Sequence, residues 1–401
     1  MLTRQGWFCA VVAILFVAAG RILGTTELFV LGTCLAALVL VCVAYVALRR
    51  LKIDVTRELH PPRVHAGSPS RVDLRVENQG GRTSPVLGLR DAVSGTRGAK
   101  LLVGPLAAGG VAKAAYRLPT DRRGVLEIGP LKVAFGDPFG MAELSMTASG
   151  VSELTVYPHI DDIAAVPQTT GNDPLAGAEH PNALGRNGED FYALRQYVVG
   201  DDLRRVHWPS TARHDELMVR QDELPWQGRA TVLADVRAAA TTPEGLELVI
   251  SAAASIVNAG ARRQDLVRLL TTDGADSGFA AGHAHIEAIM EHLASVEAGP
   301  DATFQPVVER MARSSSGGAL VVVCTSHLPA TDRDRLVRLR TRFGSLTVVC
   351  FDDSAWDPAA ADVPRDGSDG LLWVTRSRPF VEVWDAAMRP GRRPASAGVR
   401  R

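Results

Sequence analysis

Two long apolar runs within the first fifty residues constrain this chain more than any other feature. Trp7 to Gly20 carries no charged side chain, and Leu28 to Leu48, "LFVLGTCLAALVLVCVAYVAL", carries none either. The second run is long enough to cross a bilayer core as a helix, and only a few residues around "RILGTTE" separate it from the first. The pair reads as a transmembrane helical hairpin over residues 1–50, with the lipid bilayer as its partner. A cleaved signal peptide is the alternative for the first run, because Arg4 precedes it and "VAAG" is small-sided. Signal peptides rarely abut a second span this closely. Arg4 precedes the first span, and Arg49, Arg50 and Lys52 follow the second. Positive residues favour the inner face, so both termini and the soluble remainder are expected in the cytoplasm of a two-span cell-membrane protein. Arg21 in the turn can snorkel to the headgroups.

The full length of 401 residues leaves room for two or three domains beyond the hairpin. Lysine plus arginine equal aspartate plus glutamate at 44 each, so no overall charge points to nucleic acid or to an acidic partner. Few aromatics and abundant Ala, Val, Gly and Arg suggest a high-GC bacterial proteome. The five cysteines include no Cys-x-x-Cys pair, which excludes zinc ribbons and dithiol redox motifs; isolated apolar thiols suit a reducing compartment.

Residues 51–160 read as β-structure. In "SRVDLRVENQGG", Val72, Leu74 and Val76 alternate with Arg71, Asp73, Arg75 and Glu77 before a turn. Short runs broken by Gly and Pro continue through "GVLEIGPLKVAFGDPFG" and "SELTVYP", and the expectation is an antiparallel β-sandwich of immunoglobulin-like type. The loop "GDPFG" reads as a turn without chemistry. Residues 161–228 form a connector, polar and rich in Gly, Pro and Asn to about 190. From 229 to 388 the pattern becomes α/β. The apolar strands "RATVLADV", "DLVRLLTT", "ALVVVCTS", "SLTVVCFD" and "LLWVT" alternate with helices over 243–259, 284–296 and 331–342 and a last one in "PFVEVWDAAM". This predicts a doubly wound parallel sheet. The Arg-Pro-rich tail, 389–401, reads as disordered.

In such a sheet, ligands bind beyond the carboxyl ends of the strands. These ends carry Asp235, Thr271-Thr272-Asp273, Thr325-Ser326-His327 and Asp352-Asp353. An Asp-x-Ser-x-Ser run at the first end would supply hard oxygen ligands for Mg²⁺. Here the run is Asp235-Val236-Arg237-Ala238-Ala239, so Arg and Ala replace both hydroxyls and the guanidinium repels a cation. Asp235 is therefore a degenerate metal position, better suited to accepting from backbone amides or pairing with a cation. No glycine-rich phosphate loop follows the first strand, so neither nucleotide nor any other cofactor is implied. His283, His285 and His292 lie on an ordinary amphipathic helix without ligand geometry.

The stretch "RQYVVGDDLRRVHWPSTAR" (195–213) has the composition of a catalytic centre. A hydrolase would use His207 as base, Asp201 or Asp202 to orient it, and Ser210 or Thr211 as nucleophile. Against this, no nucleophile-elbow frame is present, and triads usually gather residues from separate loops. Between 185 and 229, seven arginines face eight acids, so no basic field for phosphates exists and nucleic acid is not expected as a partner. Matched Arg and Asp beside His207 and Trp208 fit a clip that fastens a loop, or a docking surface with Arg and Trp as anchors.

The longer run "LRQYVVGDDLRRVHWPSTARHDELMVRQDE" resembles the signature of bacterial domain-of-unknown-function family 58. Leu194, Arg195, Tyr197, Gly200, Asp201, Asp202, Arg204, His207, Trp208, Thr211, Ala212, Arg213, Leu217, Val219 and Arg220 match it. The hairpin and the "DRRGVLEIGPLKVAFGDPFG" block also look like that family's upstream part. Val199 stands where proline is common, and His214-Asp215 replace a smaller turn pair. The resemblance implies a membrane-anchored protein whose 229–388 domain has a von Willebrand factor A-like fold. It also implies association with MoxR-type AAA+ ATPases, sometimes with transglutaminase-like membrane proteins, and brings no established activity.

Three functional readings follow. The first is a non-enzymatic membrane adaptor that presents the signature to a MoxR-type ATPase. The second is a hydrolase centred on His207, and the third makes the signature a purely structural clip.

Overall fold

The computed structural model describes residues 2–49, 51–167, 191–197, 206–214, 216–222, 228–300, 302–313, 317–362 and 370–389. The tail beyond 389 and most of the polar connector lie outside the described residues. The chain divides into two units, Met1–Tyr157 and Pro158–Arg401.

In the first unit the apolar runs form helices α1 (Arg4–Leu23) and α2 (Thr26–Leu48). Thr3 caps α1 by accepting from the Gly6 amide, and Gly24 ends it in the left-handed conformation (φ 67°) that glycine adopts without strain. Both helices are long and apolar enough to cross a membrane. They pack through small residues. A Cβ on Gly20 would come within 2.6 Å of the Phe29 nitrogen, and one on Gly32 within 2.7 Å of the Val17 nitrogen. Their outer faces expose Ile14, Leu15, Val30, Leu31, Leu40 and Val41, a surface suited to lipid rather than water.

Two sheets follow. One contains β1 (Ile53–His60), β3 (Arg71–Asn78) and β6 (Val111–Arg117) in the order β1-β3-β6. The other contains β2 (Arg63–His65), β4 (Leu87–Val93), β5 (Ala99–Val103), β7 (Gly124–Gly136), β8 (Glu143–Ser149) and β9 (Ser152–Tyr157), in the order β2-β9-β7-β4-β5, with β8 also on β7. Alternation turns Val72, Leu74 and Val76 of β3 inward. They meet Leu89, Ile128, Val133 and Leu154 of the second sheet in one core. A polar knot crosses this core. Arg57 Nη1 donates to Asp91 Oδ1 at 3.0 Å, Tyr116 donates to Asp91 Oδ2 at 2.7 Å, and the Arg57 and Asp91 side chains are each 1% exposed. Burial and the bond to Asp91 push the Tyr116 hydroxyl well above its ordinary pKa.

The "GDPFG" loop is a turn, with the Gly140 amide donating to the Asp137 carbonyl at 3.1 Å, and it is also where the hairpin meets the sandwich. The Thr3 amide donates to the Met141 carbonyl at 2.9 Å, and the Thr3 hydroxyl to the Gly140 carbonyl at 2.6 Å. Met141 packs with Val39 and Cys42 of α2. Burial alone would raise the pKa of Asp137. The amides of Ala142, Phe139 and Met141 and the Cys42 thiol outweigh it and hold the carboxyl below its ordinary value.

The second unit carries a five-stranded sheet in the order β13-β12-β14-β15-β16, with every pairing parallel. Its strands are β12 (Arg229–Ala234), β13 (Leu266–Thr271), β14 (Ala319–Thr325), β15 (Ser345–Phe351) and β16 (Leu372–Val374). Numbered within the sheet the order is 2-1-3-4-5, the doubly wound arrangement whose switch point falls beside its first strand. Leu320, Val322 and Cys324 of β14 pack on α6 (Phe304–Arg313) and α7 (Ala330–Leu339). The other face is covered by α4 (Pro243–Arg262) and α8 (Phe380–Met388), with α5 (His283–Ser295) beside α4. Helix α6 is absent from the reading of the sequence, although Phe304, Val307, Val308 and Met311 have the spacing of one helical face. The start of the connector is a strap rather than a free loop. Arg262 and Arg263 donate to the Ile163 and Val166 carbonyls, Trp384 Nε1 donates to the Ala164 carbonyl at 2.7 Å, and Ile163 and Val166 are buried.

Candidate functional site

The crevice at the switch point opens between the ends of β12 and β14, where Asp235 directly follows its strand. Arg237 fills it. Its Nε and Nη2 each lie 2.9 Å from an Asp235 carboxylate oxygen, and its Nη1 lies 3.2 Å from Asp332 Oδ2 at the start of α7. The guanidinium stacks on the Phe304 ring at 4.4 Å. The Arg237 backbone amide also donates to Asp235, and Arg335 donates to the other oxygen of Asp332 at 3.1 Å. The Asp235 and Arg237 side chains are only 2% and 11% exposed. Burial alone would lower the pKa of Arg237, but Asp235 and Asp332 raise it. The guanidinium thus pairs with both carboxylates, Asp332 sharing its other oxygen with Arg335. Among the described residues, no group of three or more His, Cys, Asp or Glu side chains could hold a metal ion.

The other strand ends are tied into loop structure. Thr272 accepts from the Val236 amide at 2.9 Å, Thr325 donates to the Ala240 carbonyl, and Asp352 accepts from the Ser354 amide at 3.1 Å. Ser326 donates to Asp353 at 3.1 Å, and His327 lies 3.9 Å from the same carboxylate. His285 bonds the Val267 carbonyl at 2.9 Å, and His283 and His292 form no ligand set with it. Cys324 and Cys350 face each other across β14 and β15, their sulfurs 3.4 Å apart. The neighbouring thiol and complete burial push the Cys324 thiol well above its ordinary value, which makes it unreactive.

The signature folds as β10 (Phe191–Gln196), α3 (Trp208–His214) and β11 (Met218–Asp222). Strands β10 and β11 pair antiparallel, with Arg195 opposite Val219 and Leu194 opposite Arg220. Gly200, Asp201, Asp202 and Arg204 lie outside the described residues, as does Asp215. The rest is held by local bonds. The Tyr197 amide donates to the Leu217 carbonyl at 2.8 Å, and the His207 amide to the Met218 carbonyl at 2.7 Å. Thr211 Oγ1 accepts from the Met218 amide at 3.0 Å, so His207 and Thr211 fasten α3 to β11. His207 Nδ1 lies 2.8 Å from Ser210 Oγ, a contact between a residue just before the helix and one in its first turn. Trp208 is 67% exposed, and Arg213 is exposed.

Asp332 and Phe304, the outer walls of the crevice, are not evident from the sequence. Their relation to Arg237 depends on where α6 and α7 start over the sheet. The contacts of Met141 are equally hidden, because its partners Thr3, Val39 and Cys42 lie in the hairpin.

Taken together, a hairpin of membrane-spanning length, a β-sandwich and a parallel α/β unit bearing the signature define the architecture. Residues 193–374 match the family model described as "Protein of unknown function DUF58", which supports placing the chain in that family. No curated protein matches the chain. Among solved structures, the CARDB domain of a Pyrococcus furiosus protein, crystallised with di-metal ions, is 16% identical at a TM-score of 0.21, covering 27% of this chain and 92% of that one. The alkylpurine DNA glycosylase AlkC of Pseudomonas fluorescens is 12% identical at a TM-score of 0.18, over 26% of this chain and 30% of that one. A β-glucosidase of Erythrobacter marinus is 19% identical at a TM-score of 0.16, over 24% and 15%. These likenesses are too weak to assign a fold or an activity.

Proposed function

We propose that this protein is a membrane-anchored, non-enzymatic adaptor. Its hairpin holds the sandwich and the α/β unit at the cytoplasmic face, and the α/β unit is a von Willebrand factor A-like domain whose metal position is occupied by Arg237. The signature docks a MoxR-type AAA+ ATPase. The observation that carries this reading is Trp208: its side chain is two-thirds exposed at the start of α3, while His207 and Thr211 beside it are bonded to β11. An exposed tryptophan held on a helix that is fastened to a strand is the kind of anchor that carries much of the energy of a protein interface. Capture of the purified ATPase by full-length protein in detergent is expected to fall at least about tenfold on Trp208→Ala, the loss of a typical hot spot of ~1.4 kcal/mol or more. Undiminished capture by a folded variant removes the signature as the docking surface. A transglutaminase-like membrane protein is a second partner for the same assay.

The His207–Ser210 contact supports one further reading, a serine hydrolase. It requires labelling of the wild-type chain by a fluorophosphonate that Ser210→Ala abolishes. Absence of labelling in the wild type eliminates it.

A further inference from the structure

The loop that joins β7 to β8 reaches further along the hairpin than a connection between a sandwich and its anchor requires. Met141 clusters with Val39 and Cys42 of α2, with Cys9 of α1 and Leu38 of α2 packed against the same cluster. Cys42 lies about 9 Å before the end of α2 at Leu48, at ~1.5 Å per residue. At the tip, Phe139 is 62% exposed and shares a groove with Arg4, Gln5 and Phe8, while Trp7 and Phe8 are exposed on the neighbouring turn of α1.

The backbone of this loop is closed on itself. Asp137 Oδ1 accepts from the Phe139 amide and Oδ2 from the Ala142 amide. The Gly140 amide donates to the Asp137 carbonyl, and the Asp137 amide to the Ala142 carbonyl. Pro138 has no N–H to satisfy. The N–H groups of Asp137, Phe139, Gly140 and Ala142 therefore all have partners within the loop, while the Met141 and Gly140 carbonyls accept from Thr3. A loop whose amides are bonded internally exposes few unpaired donors to the boundary of a bilayer, where competing water thins towards the core. Aromatic side chains at that level sit well in the headgroup boundary.

From this geometry we infer that the "GDPFG" loop is a third membrane contact, with Phe139 inserted among bilayer lipids at the headgroup–acyl boundary beside Trp7 and Phe8. It rests on the membrane-anchored reading proposed above. The two spans and the loop then form a three-point footing that fixes how the sandwich stands on the membrane, where a two-helix tether would leave it free to swing.

The test uses the full chain in phosphatidylcholine vesicles containing lipid brominated high on the acyl chain, with tryptophan quenching as the readout. Wild type minus Trp7→Phe reports Trp7. Adding Phe139→Trp to the Trp7→Phe background reports the loop, and adding Val125→Trp there reports the other end of β7, about 36 Å away at ~3.3 Å per residue. The expected result is quenching at position 139 to within a factor of about two of that at Trp7, the same boundary level, and none at 125. Quenching at Trp7 without quenching in the Phe139→Trp variant overturns the loop contact and leaves the anchor standing. Equal quenching at 139 and 125 overturns it as a specific contact. Unquenched Trp7 overturns the anchor, and the loop contact with it.

Discussion

Arg237 illustrates how one residue decides what a crevice can do. Replacing it by alanine leaves the nearly buried Asp235 carboxylate without its cation and Asp332 with Arg335 alone. Breaking a buried pair in this way costs about 3–5 kcal/mol, so the denaturation midpoint of Arg237→Ala should drop clearly. An unchanged midpoint would show that the crevice is not stabilised by this network. Asp276 supplies a pH dependence. Arg268 donates to it at 2.8 and 2.6 Å, and these bonds, helped by the Gly278 amide against burial, hold its carboxyl below the ordinary 3.8. A lowered folded pKa contributes stability that is complete above the unfolded value and disappears as pH falls through the folded one. The stability gap between wild type and Asp276→Asn should therefore be constant near neutrality and close only below pH 3.8. A gap that persists in strong acid contradicts the assignment. That Asp235 accepts amides or pairs with a cation is legible in the sequence, whereas its partner Arg237 reads there only as repelling a metal. The Asp332 contribution is not legible, since only the fold brings it near.

Among the elements, strands that are buried on one face or on both are readable and polar crossings are not. The alternation of β3 and the apolar runs of β12, β14 and β15 announce themselves because burial demands them. Helix α6 also carries a clear apolar face, so the signal was present. The Arg57–Asp91–Tyr116 knot has no such signature: Arg57, Asp91 and Tyr116 sit on β1, β4 and β6, and each looks like an ordinary strand residue. It joins the two sheets through charged groups in a core otherwise made of Val and Leu. Asp91→Ala should cost about 3–5 kcal/mol by stranding Arg57. Tyr116→Phe, which removes one hydrogen bond and leaves the ion pair, should cost about 1–3 kcal/mol. Equal losses from the two variants, measured by denaturant titration of the detergent-solubilised chain, would mean that the ion pair is not what the sheets depend on.

At the scale of the whole molecule, the placement of the hairpin decides which compartment meets the signature. The start of α1 bonds the β7–β8 loop, and the end of α2 contributes Val46 to the sandwich core, so both hairpin ends lie on the sandwich side of the spans. This arrangement is insensitive to which side of the membrane that is. The choice comes from charge: Arg4, Arg49, Arg50 and Lys52 flank the ends that meet the sandwich, whereas Arg21 and Glu27 flank the opposite turn. A cytoplasmic fluorescent reporter fused after Leu48 should therefore fluoresce, and alkaline phosphatase at the same point should be inactive. Moving the phosphatase to the turn near Gly24 should reverse the outcome. An active phosphatase after Leu48 would put the sandwich, and the signature that follows it in the chain, outside the cytoplasm. The docking of a cytoplasmic ATPase would then fail on topology alone, whatever the affinity of Trp208 for a partner.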